Sequence, residues 1–200
     1  MAQAGIHGLV GVAVRRWTPT RKLLLLGIVL GNLLPDADNL AVAIATVTGG
    51  STEGLHRTFT HSLFFVLALV IVFWLAGMVA KRPSYTNLGL GLGIGVLMHI
   101  LLDLVIWFNG VEILWPLSSW VNFWEGVTPP EWFAKLLMPL EMLFLATYFY
   151  WLGQTARWQG TNLNRVKGVK VWTAVQLLLF LIFTVLVYTL TSGFTTIYGA

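Results

Sequence analysis

The 200-residue chain contains no cysteine, and only 10% of its residues are Asp, Glu, Lys or Arg. Without thiols there is no disulfide, no thiolate metal ligand and no cysteine nucleophile. A soluble domain carries roughly 25% charged residues. Here apolar residues make up 57% and mean hydropathy is +0.79, so the chain lacks the polar surface to stay in water. That excludes a soluble enzyme, a disordered tail and a nucleic-acid module, despite a pI near 9.6. The net charge of +4 reads instead as anchoring beside anionic lipid headgroups. The sequence is that of an integral membrane protein.

Crossing ~30 Å of hydrocarbon takes about 20 apolar residues. Four stretches qualify: Ser62 to Ala80, Thr86 to Phe108, Phe133 to Leu152, and Val171 to Leu190. Two shorter apolar segments, Ala4 to Val14 and Leu23 to Leu34, flank the basic turn RRWTPTRK; they read as a helical hairpin. A cleavable signal peptide fits poorly, since the apolar stretch precedes the basic cluster and no convincing A-x-A site follows. The expected fold is all-α, a polytopic transmembrane helix bundle with a short N-terminal hairpin and about four full spans. Residues 1–200 form a single membrane domain, with a motif-bearing part (1–117) and an interfacial loop plus two C-terminal spans (118–200).

If the spans alternate, three basic clusters share one side: Arg15, Arg16, Arg21 and Lys22; Lys81 and Arg82; and Arg157, Arg165, Lys167 and Lys170. That side is expected to be cytoplasmic. Residues 35–61, 109–132 and the C-terminus then lie opposite.

Acids are scarce, eight in all, and there are four histidines, so each position carries information. His7 lies in the first short helix, Asp36 and Asp38 end the second, and His56 and His61 precede the next span. His99 and Asp103 follow in the outer half of the span after that. Alternating topology brings all seven towards the non-cytoplasmic end. Intramembrane charge costs at least ~2.5–3.5 kcal/mol, which makes such residues functional candidates by default. His99 and Asp103, spaced i, i+4, share one helical face. Imidazole and carboxylate suit zinc above all, with manganese or iron as alternatives, bound as one or two ions. Such an ion would lower the pKa of a bound water to about 7.

Taken singly, each residue also has a structural account. His99 and Asp103 form a plausible hydrogen-bonded pair, Asp36 a turn after Pro35, and Asp38 or Asn39 a helix cap. His56 and His61 suit the interface, and His7 suits bundle packing. Their co-location favours a metal site. Arg57 is a candidate phosphate or carboxylate binder, or else snorkels to headgroups. Glu112 reads as a solvated loop acid, with an additional ligand or a general base as the alternatives. Glu141 is expected to face the interior or snorkel, without catalytic duty. Thr60 and Ser62 are candidate caps for the span that follows. The GLGLGIG stretch, residues 89 to 95, reads as a small-residue packing stripe rather than a phosphate loop. The tryptophan-rich segment from Trp115 to Trp132 suits an interfacial belt or re-entrant lid.

The ordered set of His7, Pro35-Asp36-Ala37-Asp38, the HRxxTHS segment His56 to Ser62, and His99, Asp103 and Gly110 to Pro116 resembles one family. It is that of the YdjM-like membrane-bound metal-dependent hydrolases, described in some bacteria as LexA-regulated. The likeness covers residues 5–117. Thr58 stands where the family pattern has glycine, and Ile106 and Trp107 stand where hydroxyl residues often follow the HxxxD aspartate. The resemblance implies a hydrolase with bound divalent metal in the cell membrane. The motif order is also similar to that of zinc-dependent phospholipase C and P1-type nuclease enzymes, which implies a phosphoester substrate, lipid or lipid-linked. On that reading His7, Asp36, Asp38, His56, His61, His99 and Asp103 hold metal. Asp36, Asp38 and Asp103 share general-base duty, and Arg57 neutralises phosphate charge. A metal or proton transporter, a membrane peptidase and a non-catalytic scaffold are the rival readings. No HExxH helix supports the peptidase, and no ionisable residues in the inner halves of the long spans mark a transport path.

Overall fold

The computed structural model describes residues 4–117, 119–158 and 163–189. Its helices are α1 (Ala4–Ala13), α2 (Leu24–Gly31), α3 (Asn39–Thr48), α4 (Leu63–Val79), α5 (Pro83–Ile106), α6 (Glu131–Trp158) and α7 (Leu163–Thr189). Strands β1 (Val111–Glu112) and β2 (Trp120–Val121) pair antiparallel, with Val111 opposite Val121. The fold is thus an all-α membrane bundle, as the sequence implies. The chain divides into two compact units, Val10–Thr128 and Ala4–Leu9 with Pro129–Ala200.

Pro83–Ile106, Glu131–Gln154 and Val166–Leu186 are long and apolar enough to cross a bilayer. The span expected at residues 62–80 is α4, a helix of 17 residues, about 25 Å long and at the short limit for spanning. Leu190, the expected end of the last span, lies outside the described residues. The second arm of the N-terminal hairpin also differs from expectation. It does not end at Leu34, because α2 is followed by a second apolar segment, Pro35–Thr48, set at a 44° bend. Pro35 has no N–H to offer a continuing helix, so a tight turn over Pro35–Asp38 intervenes before α3 begins. Gly49, at φ 69°, closes α3 in the left-handed conformation that glycine adopts without penalty.

In the first unit, glycines decide how closely the helices approach. A Cβ at Gly27 would lie 2.5 Å from the Leu88 carbonyl oxygen, and one at Gly91 would lie 2.9 Å from the Gly27 Cα. Gly31 meets the Leu92 backbone and Gly95 that of Ile28 and Asn32. Two G-x-x-x-G pairs, Gly27 with Gly31 and Gly91 with Gly95, therefore seat α2 and α5 backbone to backbone and parallel. Gly89 and Gly93 occupy a different face of α5 and admit Phe73 and Val70 of the antiparallel α4. The GLGLGIG stretch is thus two interleaved packing stripes, one for each neighbour. Below them Val66, Val96, Ile100, Leu104 and Val111 form the buried apolar core.

In the second unit, α6 pairs with α7, and residues 4–9 of α1 pack on α6. Gly5 and Gly8 lie against the Glu141–Leu145 backbone and the Tyr148 ring. Glu141 is buried and accepts a hydrogen bond from the Gly5 N–H at the start of α1. A carboxylate there satisfies an otherwise unpaired helix donor. Lys135 pairs with Glu131, one turn away, rather than with Glu141.

Replacing Gly95 by valine should force α2 off α5 at a cost of at least about 1–3 kcal/mol. A lowered thermal midpoint in detergent would show it. An unchanged midpoint would mean that the close approach does not bear on stability.

Candidate metal centre

Three segments of the first unit converge on one polar pocket. The turn Pro35–Asp38 carries Asp36 and Asp38. The stretch before α4 carries His56, Arg57, Thr60 and His61, with Phe59–His61 coiled in a tight turn. Ser62 then caps α4 by accepting from the Phe65 N–H at 3.1 Å, so this helix starts where the sequence places it. The last two turns of α5 carry His99 and Asp103, both buried, facing the same way. Glu112 holds the other side of the 56–61 stretch in place, its N–H donating to the Arg57 carbonyl at 2.9 Å.

At the centre, the Nε2 atoms of His61 and His99 face each other at 3.1 Å. The Asp103 Oδ2 lies 3.5 Å from the first and 3.7 Å from the second, and the Asp36 Oδ1 lies 3.7 Å from His99 Nε2. Each ring is oriented from behind. His99 donates its Nδ1–H to the Asn32 carbonyl at 2.9 Å, which puts the Nε2 lone pair inward. The His61 Nδ1 is 3.0 Å from the Thr60 hydroxyl, which in turn donates to Asp38 Oδ2 at 2.8 Å. Two imidazole lone pairs this close repel unless a cation or a proton lies between them. Nitrogens bound to one tetrahedral zinc sit roughly 3.3 Å apart, given Zn–N bonds of ~2.0–2.1 Å. The donor set therefore fits a divalent ion.

A second group adjoins the first and shares His61. Asp38 Oδ1 receives the His56 Nδ1–H at 2.7 Å, and Asp38 Oδ2 also lies 3.3 Å from the Arg57 N–H. Asp36, His61 and His99 on one side, and Asp38, His56 and His61 on the other, each bring their ligand atoms within 4.8 Å of one another. Six of the seven expected ligands thus come together in the first unit. His7 belongs to the second unit, where it is buried on α1. Glu112 is in neither group, and Asp38 turns towards the histidines instead of capping α3 with its side chain.

Arg57 stands over the pocket in a left-handed conformation, φ 62°. Its guanidinium donates to the Asn109 carbonyl at 3.0 Å, lies 3.6 Å from Asp103 Oδ2, and points Nε at His56 Nε2. A non-glycine residue at positive φ costs of order 1–3 kcal/mol and persists only where its surroundings fix it. Thr58, where the family pattern has glycine, has φ −114° and ψ −106°; its hydroxyl bonds the Gly54 carbonyl. Thr60, read from sequence only as a candidate cap, places its hydroxyl between Asp38 and His61. The carbonyls of Asn32 and Asn109 carry no sequence signal as partners, although a lone Asn in the apolar run LGNLL marks the first position.

A helical membrane bundle with a buried His/Asp cluster defines a class of protein, and comparison with known proteins narrows it. The chain belongs to the YdjM inner membrane protein family, whose profile matches residues 2–194, and is accordingly a multi-pass inner membrane protein. It is 39% identical over 120 residues to the inner membrane protein YbcI of Escherichia coli (strain K12), covering 60% of this chain and 68% of that one. It is 33% identical over 98 residues to the uncharacterized protein YvsG of Bacillus subtilis (strain 168), covering 48% of this chain and 56% of that one. No solved structure matches it at a significant level.

Burial works against protonation of His61, but hydrogen bonds and charge attraction from Asp103 and Asp38 outweigh it and push the pKa above the ordinary 6.5. In metal-free protein the protonated ring stabilises the fold. That contribution is fully present below the unfolded value and is lost as pH rises through the raised folded one. The chelator-treated protein should therefore melt at lower temperature as pH is raised from 6.5 through the titration. His61→Gln should flatten this slope. A wild-type midpoint that rises over the same interval would contradict the assignment.

Proposed function

We propose that this protein is a membrane-embedded, metal-dependent hydrolase acting on a phosphoester carried by a lipid or lipid-linked molecule. The observation that carries the reading is the opposed pair of His61 and His99 Nε2 atoms, closed by the carboxylates of Asp36 and Asp103. These four residues would hold the ion, with zinc the best match to two nitrogens and two oxygens. When bound, the ion would supply a water acidified to about pKa 7.

The surrounding residues divide the remaining work. Asp38 and Thr60 keep His61 in the tautomer that presents Nε2, as the Asn32 carbonyl does for His99. Asp38 and His56 offer a place for a second ion beside the first. Asp36 or Asp103 accepts a proton as the nucleophile forms. Arg57, beside Asp103, places a guanidinium where phosphate charge develops. In the same unit Leu40, Ile44 and Val47 of α3, and Leu117, Trp120 and Phe123 of the segment after β1, are exposed apolar residues. Exposed apolar residues on the segments that follow Asp38 and Glu112 suit a substrate that stays in the bilayer. Along α2 and α5 the basic residues Arg21, Lys22, Lys81 and Arg82 stand at the helix starts, and Asp36, His99 and Asp103 at or near the ends. With basic residues inside, the centre faces the non-cytoplasmic side.

The bend between α2 and Pro35–Thr48, with Asp36 and Asp38 beside it, favours a second reading. Interrupted helices hold ions in transporters, and metal-ion transport would use the same ligands.

Elemental analysis of purified protein should find metal in the wild type and little in Asp103→Ala or His61→Ala. Equal metal in all three would remove the centre. Asp38→Asn should weaken metal affinity about 10–100-fold while leaving the site able to fill. For activity, the metal-replete protein should release phosphate or alcohol from a lipid phosphoester in mixed micelles, and Arg57→Ala should slow that release by at least about 100-fold. A fully metallated protein that releases nothing, yet moves metal across proteoliposomes, would replace hydrolysis by transport.

A further inference from the structure

The second unit carries a feature that the metal centre does not use. After Glu141 the sequence contains no acid, yet Arg157, Arg165, Lys167 and Lys170 follow. Between α6 and α7 runs a cavity of about 170 Å³ whose walls are almost wholly apolar, including Phe149, Gly153, Val166, Val169, Ala174 and Leu177. Arg157 and Lys170 line it as well, towards the end where the two helices are joined in sequence. Both are exposed, and among the described residues neither has an acidic partner within ion-pair distance. Arg157 lies just beyond the apolar stretch of α6, and Lys170 one turn inside that of α7. Two cations therefore sit at headgroup depth above a greasy slot. Only 6% of the apolar stretch of α7 is buried, which leaves the slot open to whatever surrounds the helix.

From this arrangement we propose that the α6–α7 groove binds one anionic phospholipid, with an acyl chain in the slot and the headgroup phosphate between Arg157 and Lys170. A zwitterionic lipid would fill the slot equally well but brings its own cation to the headgroup, which the two basic side chains repel. The missing countercharge thus selects the headgroup, and the apolar wall selects an amphiphile over free phosphate. Each cation near an anionic membrane surface contributes about 1 kcal/mol. Two of them correspond to a preference of roughly 30-fold for anionic over zwitterionic lipid.

The test uses the full chain in nanodiscs, with native mass spectrometry counting retained lipid in mixtures of phosphatidylglycerol and phosphatidylcholine. The wild type should keep phosphatidylglycerol at least tenfold in preference. Arg157→Ala with Lys170→Ala should lose that preference, whereas Lys81→Ala with Arg82→Ala, which removes the same charge elsewhere, should keep it. Ala174→Phe, which fills the slot from its exposed side, should release the lipid with both cations intact. Equal retention of the two lipids by the wild type would overturn the proposal. So would equal losses in the two double variants, or full retention in Ala174→Phe.

Discussion

The backbone contact between α2 and α5 is the constraint on which the candidate metal centre rests. Gly27 and Gly31 against Gly91 and Gly95 bring the two helices close enough for a carbonyl of one to reach a side chain of the other. The Asn32 carbonyl then takes the His99 Nδ1–H, and the opposite nitrogen has one direction left to face. In lipid, where no hydrophobic force distinguishes helix from solvent, this kind of small-residue packing is what holds helices together. The same contact that fixes the bundle fixes the tautomer.

The polar cluster sits in a setting that would be costly if any member were removed alone. Asp38 accepts from His56, Thr60 and the Arg57 backbone, and Asp103 faces two histidines and a guanidinium. Low dielectric strengthens each of these attractions and equally penalises a group left without one. The loops before α4 and after α5 are tied together by the Glu112 N–H on the Arg57 carbonyl and the Leu63 N–H on the Ile113 carbonyl. The cluster is therefore held by backbone as much as by side chains.

Much of this was legible in the sequence, because charge is so rare in it. Eight acids and four histidines among 200 residues made the i, i+4 pair of His99 and Asp103 stand out, and the two apolar stretches before and after it set their depth. The glycine stripe was readable as packing, though its division between two neighbours was not, since four alternating glycines do not say which helix each one meets. The α3 helix was signalled only by Asp38 and Asn39 as candidate caps: Pro35 and two aspartates mark a turn, and the short apolar run beyond it does not by itself define a span. The orienting roles of Asn32 and Asn109 belong to main-chain carbonyls, which every residue possesses and no letter of the sequence announces. His56 and His61, five apart, looked unrelated on a helix; the tight turn at Phe59–His61 brings their rings to 5.4 Å.

Arg57 joins two demands that a single amino acid seldom meets. Its backbone occupies a region that glycine enters freely and asparagine tolerates, while its side chain meets the Asn109 carbonyl and Asp103 with one long, planar, charged group. Replacements that relax the main chain discard the guanidinium, and lysine, which keeps the charge, neither eases the torsion nor reproduces the forked donors. Adaptation at this position is consequently boxed in from both directions, so improvements to one requirement arrive only as damage to the other.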